Sequence, residues 1–340
     1  MNYPLRCLLT AVTVALVTAC GSSIPSSNPA DLELTEAPPT TPPVTDSPAG
    51  SIAQVVANLP QSLPVSNEFA NTEITEASGI QRSLSLPGVY YVHNDSGGTA
   101  TLYATDATGQ AIGRLQLSGV QATDWEAVAG ARLNGQPHII VADTGNNDRS
   151  RSVLNLQVVA EPDYTELLLD FNLALEATQI DISYADGLNY DAEAVFIDGD
   201  NDSVVVVTKD GRNTTAQSIW KGSLSSGLTD GAMVLEFRGQ LAVPAIPFVN
   251  AVTDIDIHPD GRQLALLVYG LSTAGRIFLW QPGEGEGTAD ALVRAADREI
   301  SVPVIDSNGQ AEGISFSAEG EALLVAAEGP ATSTMTVVGF

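Results

Sequence analysis

Five segments of the chain have similar sequences and carry the residues best suited to chemistry. They read EASGI, DWEAV, DAEAV, TDI and AEGI, and they begin at residues 76, 124, 191, 253 and 311. When they are aligned, one shared position bears a side-chain oxygen in every copy: Ser78, Glu126, Glu193, Thr253 and Glu312. In a closed array of repeated sheets this position points at one axis, and grouped oxygen ligands are what a hard cation such as Ca2+ requires.

The three carboxylates among these residues strengthen the prediction of a metal. Brought to one axis, they repel one another and shift their own pKa values unless a cation lies between them. Acidic residues near strand ends also form tight turns, and NDSGG (94–98) and DTGNN (143–147) are ordinary turn sequences. Turn preference alone does not require a carboxylate at the same phase of three repeats with a hydroxyl in the other two. We therefore predict Ca2+ as the cofactor.

The sequence between the shared positions predicts the elements that hold them. Short runs rich in Val, Ile, Leu and Tyr alternate with Gly, Asp and Asn, which is typical of antiparallel strands. Each repeat has room for four strands, and such units repeated radially make the blades of a β-propeller. We predict an all-β propeller of five four-stranded antiparallel blades, the last one completed by a strand from residues 55–69. A sixth blade within the long interval 126–193 is the alternative.

A second polar ring is expected around the first. Neighbouring antiparallel strands place the start of the first strand and the end of the second at the same end of a blade. The residues at that second position are Asp95, Asp143, Lys209 or Asp210, Tyr269 and Glu328. Nearby loops carry Arg149, Arg151 and Arg212, which with Lys209 predict a rim that binds a small anionic ligand.

Two further roles are assigned near the ring. If the site is catalytic, the general base comes from the carboxylates beside it: Asp95, Asp124, Asp143 or Asp191. Trp125 and Tyr190 flank the shared Glu positions and could stack on a planar ligand. Packing between sheets is the commoner role of such aromatic residues.

The N-terminal region predicts export and lipidation. Residues 1–19 join one positive charge to an apolar run too short to span a bilayer, which indicates a signal peptide. The following VTACG resembles a bacterial lipobox, so Cys20 is the expected site of acylation, including palmitate. Residues 20–50 then form a disordered tether rich in Pro, Ser and Thr, and residues 51–340 form the propeller. By resemblance to enterobacterial lipoproteins, Gly21 in place of Asp favours the outer membrane.

Charge and cysteine content limit the functional classes. The chain has 14 Lys and Arg against 41 Asp and Glu, a formal net charge of −27, so nucleic acid and anionic lipid are poor partners. Of its two cysteines, Cys7 leaves with the signal peptide and Cys20 is lipidated, which excludes a disulfide framework and a cysteine nucleophile. The expected partners are the membrane, through the lipid on Cys20, and a small anionic ligand or an envelope protein.

Two resemblances bear on these predictions. The segments DWEAVAG, HIIVADTGNN and VVAEPD within 124–163, followed by DAEAVF and QAEGISF, resemble a widespread set of exported bacterial propeller proteins, some grouped with phytase-like or esterase-like propellers. That resemblance covers most of residues 70–330 and implies the fold more than an activity. The ring itself is similar to that of the calcium-activated apyrases, five-bladed nucleotidases in which the equivalent order is Ser, Glu, Glu, Ser, Glu. The longer apyrase signatures around the nucleotide are not evident.

Two functions from different classes are consistent with these residues. In the favoured one, Ca2+ joins the blades at the axis, and the polar face binds a ligand or partner at the cell envelope without turnover. In the alternative, the chain is a calcium-dependent phosphohydrolase in which the metal polarises a phosphoryl oxygen. Charge on the phosphate would then be stabilised by Arg149, Arg151, Lys209 and Arg212.

Overall fold

In the structure, a computed structural model, antiparallel sheets account for most of the described residues. The prediction of an all-β chain is therefore confirmed. The structure describes residues 65–95, 98–163, 171–199, 202–209, 217–243, 251–270, 273–302, 310–329 and 332–340. The predicted signal peptide, Cys20 and the tether lie outside these ranges, as do Asp210 and Arg212. No helix within the described ranges is both long and apolar enough to cross a membrane.

The first sheet has five strands in the order β2-β3-β4-β5-β9. Their bounds are β2 (Ala77–Arg82), β3 (Val89–Asn94), β4 (Thr101–Asp106), β5 (Ala111–Ser118) and β9 (Asn172–Glu176). Strands β2 to β5 are antiparallel neighbours, whereas β9 pairs parallel with the outer strand β5. This sheet therefore consists of a set of four consecutive strands and an added edge strand.

The second sheet has eight strands in the order β11-β12-β13-β14-β10-β8-β7-β6. One set of four contains β6 (Ala127–Leu133), β7 (Gln136–Asp143), β8 (Leu154–Ala160) and β10 (Thr178–Tyr184). The next set contains β11 (Ala192–Asp198), β12 (Ser203–Thr208), β13 (Ser218–Ser223) and β14 (Ala232–Gln240). The outer strands β10 and β14 pair in parallel and so join two otherwise antiparallel sets.

The last two sheets have four strands each. One contains β15 (Ala251–Ile257), β16 (Leu264–Gly270), β17 (Thr273–Trp280) and β18 (Arg298–Ser301), and the other β19 (Gln310–Phe316), β20 (Ala322–Glu328), β21 (Thr334–Gly339) and β1 (Val65–Glu68). In the latter, β1 pairs antiparallel with β21, with Val65 opposite Val337. The prediction that a strand from residues 55–69 completes the last set is thus confirmed.

Within the described ranges, two short helices interrupt the strands, α1 (Leu224–Asp230) and α2 (Thr288–Ala291). The hydroxyl of Ser223 caps α1 by accepting a hydrogen bond from the backbone N–H of Ser226 at 3.2 Å. The helix ends at Gly231, whose φ of 71° is the left-handed conformation that glycine adopts without strain. Helix α1 therefore serves as a capped connection between β13 and β14.

The first strands of the five sets contact one another in succession. Strand β2 contacts β6, β6 contacts β11, β11 contacts β15, β15 contacts β19, and β19 contacts β2. The buried apolar clusters draw on neighbouring sets: Phe196 of β11 and Trp280 of β17 share one cluster, and Leu115 of β5 and Val141 of β7 share another. The core thus lies between sheets and brings the starts of the first strands together in space.

Candidate metal centre

Most of the shared residues predicted as metal ligands sit where a strand is irregular. The pairing of the first strand with the second shifts register at four of the five shared positions: Ser78, Glu193, Thr253 and Glu312. The fifth, Glu126, comes immediately before β6, and its backbone N–H donates to the carbonyl of Ala142 at 3.0 Å. A β-bulge leaves a residue out of the regular ladder and re-aims its side chain. Four of the five repeats thus share an irregularity as well as a sequence.

A polar cavity of about 220 Å³ lies at this end of the first strands. Four shared residues line it: Ser78, Glu126, Glu193 and Glu312. The rest of the wall is formed by Glu76, Ala77, Asp95, Asn147, Lys209, Gln310 and Glu328. The fifth shared residue, Thr253, is buried, and its hydroxyl donates to the carbonyl of Ala311 at 3.0 Å. The structure thus brings together the three carboxylates that the alignment placed at one position.

The described members of the predicted second ring divide into those that line the cavity and two, Asp143 and Tyr269, that do not. Its members Asp95, Lys209 and Glu328 line the cavity. Asp143 is fully buried instead, and its carboxylate accepts hydrogen bonds from the backbone N–H groups of Thr123 at 2.9 Å and Asp124 at 3.2 Å. Asp143 therefore fixes the segment that carries Asp124 and does not face the cavity.

Acidic side chains form two overlapping clusters that could hold a metal ion. In each, the carboxylate oxygens lie within 4.8 Å of one another. The clusters are Asp95, Asp124 and Glu126, and Glu126, Asp191 and Glu193. Glu126 belongs to both, and Asp191 is positioned by the backbone N–H of Asn146, which donates to its Oδ1 at 2.6 Å.

Burial and mutual repulsion disfavour the ionised form of these carboxyl groups. Burial, followed by the charge of Glu193, raises the pKa of Glu126 well above its ordinary value. Burial also raises the pKa of Glu193 to about 7, against the opposing effect of Lys209. Burial and Glu193 raise the pKa of Glu312 to about 8, and burial and nearby aspartates raise that of Asp124 to about 6. A bound cation would reverse these shifts.

Lys209 supplies one positive charge within the cavity. Its Nζ lies 2.5 Å from Oε1 of Glu193. Burial opposes its charged form, but the carboxylates of Glu193, Glu312 and Glu126 outweigh that effect and raise the pKa of Lys209. The ammonium group therefore remains protonated and compensates part of the negative charge.

Of the residues predicted to bind an anion, Arg151 is engaged in contacts within its own loop. Arg151 forms an ion pair with Asp143 at 2.6 Å and donates to the carbonyl of Gly145 at 2.7 Å. Arg149 has a φ of 57°, and its carbonyl accepts a hydrogen bond from Asn189 at 3.1 Å. The contacts of Arg151 brace the loop between β7 and β8, and Asn147 of that loop lines the cavity.

The predicted stacking residues pack within the protein. Trp125 is 1% exposed and meets His93 edge-on, with ring centroids 5.8 Å apart. Tyr190 packs against Tyr184 and Trp220, with centroids 4.8 and 5.3 Å away. We therefore assign Trp125 to core packing and not to ligand stacking.

Sequence reasoning missed several cavity residues, although a signal for them was present. Glu76 and Gln310 lie two positions before Ser78 and Glu312, as Asp124 and Asp191 lie two positions before Glu126 and Glu193. Residues two apart share one face of an extended strand. Extending the alignment by that interval would have identified a second layer of oxygen-bearing side chains.

The comparisons with known proteins do not assign a family. No protein-family model and no curated protein matches the sequence. Among solved structures, the tail fiber of Staphylococcus aureus phage P68 is 14% identical, with a TM-score of 0.48 over 82% of this chain and 52% of that chain. Kuenenia stuttgartiensis hydrazine synthase is 14% identical, with a TM-score of 0.36 over 70% of this chain and 58% of that chain. Chaetomium thermophilum Raptor is 13% identical, with a TM-score of 0.35 over 77% of this chain and 20% of that chain. This chain spans little more than half of the first two, and these similarities carry no functional argument.

Proposed function

We propose that the chain is a five-bladed β-propeller in which a calcium ion joins the blades at the axis. The succession of contacts from β2 through β6, β11, β15 and β19 back to β2 supports five blades. In this proposal β9 is an extra edge strand of the first blade and β10 is the outer strand of the second. The interval 126–193 then needs no sixth blade.

The observation that carries the metal proposal is the convergence of three carboxylates from separate first strands on one cavity. We define the axial site as the shared residues that line it: Ser78, Glu126, Glu193 and Glu312. All of these ligands are oxygens, and they belong to segments far apart in the sequence. Ca2+ accepts six to eight oxygen ligands in flexible geometry, which suits carboxylates and a hydroxyl better than the nitrogen and sulfur sites typical of Zn2+. A cation bound there would convert repulsion between blades into attraction.

The ion pairs made by two of the predicted cations favour a binding protein over a phosphohydrolase. Arg151 is paired with Asp143, and Lys209 is paired with Glu193. A phosphoryl-transfer site needs positive groups aimed at the transferred phosphate. The polar face is thus proposed to bind a ligand or an envelope protein without turnover. The alternative function is that of a calcium-dependent phosphate-ester hydrolase.

The proposed location is the cell envelope, with a lipid on Cys20. The support is the apolar run of residues 7–17 followed by VTACG. Expression of the full chain in a Gram-negative bacterium with labelled palmitate should give a labelled product. The Cys20→Ser variant should take up no label, and equal labelling of both chains would refute the anchor.

A matched pair of variants tests the calcium proposal in the full chain. Glu193→Gln should weaken Ca2+ binding in calorimetry and reduce the rise in unfolding temperature that Ca2+ gives to the parent chain. Glu321→Gln makes the same change at an exposed position outside the cavity and should leave both properties unaltered. Full Ca2+ affinity in Glu193→Gln would refute the axial site. Turnover of a phosphate ester or nucleoside diphosphate with Ca2+ would refute a purely binding role.

A further inference from the structure

The carboxylates of Asp124 and Glu126 approach each other over a glycine. A Cβ added to Gly145 would overlap with Oδ2 of Asp124 and with Oε1 of Glu126. Both oxygens are therefore turned toward the same backbone position in the loop after β7. This pair lies beside the axial site and is not explained by it, because Asp124 is not among the shared residues.

Glu126 is the more buried member of this pair, and its carboxylate is a group that a cation would satisfy. It is 4% exposed. Among the residues that the structure describes, no hydrogen-bond donor and no ion-pair partner reaches its carboxylate, since Lys209 binds Glu193 instead. A buried ionised carboxylate without a partner is strongly unfavourable. Its oxygens lie within 4.8 Å of ligand atoms from both acidic clusters.

We propose that Asp95, Asp124 and Glu126 bind a second divalent cation. We name this the Asp124 site, and it rests on the proposed axial site because Glu126 contributes to both. A carboxylate has two oxygens and can bridge two cations, as carboxylates do in two-metal centres. Oxygen-only ligands select a hard ion, so Ca2+ is the expected occupant here as well.

The surroundings of the Asp124 site hold its ligands in place. The carboxylate of Asp143 accepts hydrogen bonds from the backbone N–H groups of Thr123 and Asp124. Arg151 pairs with Asp143 and donates a hydrogen bond to the carbonyl of Gly145. Contacts of this kind orient the ligands of metal sites and strengthen binding. Gly145 itself gives both carboxylates the space to approach, and an alanine there would displace them. Asp95 and Glu126 also line the cavity, which gives a cation access.

The test is the number of calcium ions bound by the full chain after chelation and dialysis, measured by calorimetry and by elemental analysis. The parent chain should bind two Ca2+ ions. Asp124→Asn should bind one, and Gly145→Ala, which keeps every carboxylate, should also bind one. Glu193→Gln should retain the Asp124 site and bind one. The exposed control Asp230→Asn should bind two, and circular dichroism should show the parent's sheet content in every variant.

The outcomes separate the two proposals. One ion in the parent chain and one in Asp124→Asn refutes the Asp124 site and leaves the axial site standing. Two ions in both chains also refutes it, because the second ion would then lie elsewhere. No ion in the parent chain refutes both sites.

Discussion

Calcium affinity should depend steeply on pH between pH 6 and pH 8. Two axial carboxyl groups titrate there, because burial raises the pKa of Glu193 to about 7 and burial with Glu193 raises that of Glu312 to about 8. Metal binding requires their ionised forms, so protons compete with Ca2+. The affinity for Ca2+ should therefore rise with pH as these carboxyl groups lose their protons.

The magnitude follows from the two pKa values. From pH 8 to pH 6, the ionised fraction falls about fifty-fold for a group with a pKa of 8 and about tenfold for one with a pKa of 7. If both must ionise, affinity falls by two to three powers of ten, on the order of 3 to 4 kcal/mol. Carboxyl groups with an ordinary pKa would change affinity by only a few per cent over this range.

Calorimetric titration of the full chain with Ca2+ at pH 6, 7 and 8 measures this dependence. Repeating it in buffers with different ionisation enthalpies counts the protons released on binding. Glu312→Gln should reduce that number by about one near pH 7, whereas Glu321→Gln should leave it unchanged. Affinity that is constant from pH 6 to pH 8 would refute the crowded axial carboxylates as ligands.

Three other perturbations have defined outcomes. Burial lowers the pKa of His93 to about 4 from an ordinary 6.5. Between these two pH values the unfolded chain binds a proton that the folded chain does not bind. The stability that His93 contributes above pH 6.5 is therefore lost as the pH falls toward 4. His93→Phe should lack this component, worth up to about 3 kcal/mol, when urea unfolding is compared at pH 7 and pH 4.5, and an unchanged pH profile would contradict it. Chelation of Ca2+ should lower the unfolding temperature of the full chain, since a ligand at a hundred times its dissociation constant adds about 2.7 kcal/mol to the free energy of unfolding. Scanning calorimetry with and without Ca2+ measures this difference, and equal unfolding temperatures would contradict the prediction. Asp256 forms a buried ion pair with Arg82 at 2.6 Å, so Asp256→Ala should cost about 3 to 5 kcal/mol in urea unfolding, and a loss below about 1 kcal/mol would show that the pair is dispensable.

The sequence predicts the strands and the meeting of the carboxylates because both depend on a repeat. Alternating apolar runs and Gly-rich turns locate the strands, and the shared phase of Glu126, Glu193 and Glu312 gives their common end. The placement of β1 within residues 55–69 follows from the need of each four-stranded set for an outer strand. Each of these inferences uses a pattern that recurs along the chain.

Structural features that occur only once among the described residues could not be predicted from the repeat. Helix α1 lacks an apolar period and depends on the Ser223 cap and the Gly231 end. The division of β9 and β10 between two sheets depends on tertiary pairing with β5 and β14. Periodicity in one segment holds no information about which distant edge that segment will join.

The site differs from the prediction for a similar reason. The alignment gives the position of a side chain along a strand but not the partners it will meet. Asp143 and Arg151 satisfy each other and brace the loop, and Lys209 turns inward toward Glu193. In a chain with so few basic residues, Arg151 and Lys209 each pair with a buried carboxylate, which local sequence does not identify.

The most direct test of the central claim is a crystal structure of the full chain grown with Ca2+, with anomalous scattering used to locate the ion. We expect an anomalous peak about 2.3–2.6 Å from carboxylate oxygens of Glu126 and Glu193. A structure in which the Lys209 ammonium alone lies among these carboxylates, with no peak at saturating Ca2+, would contradict it.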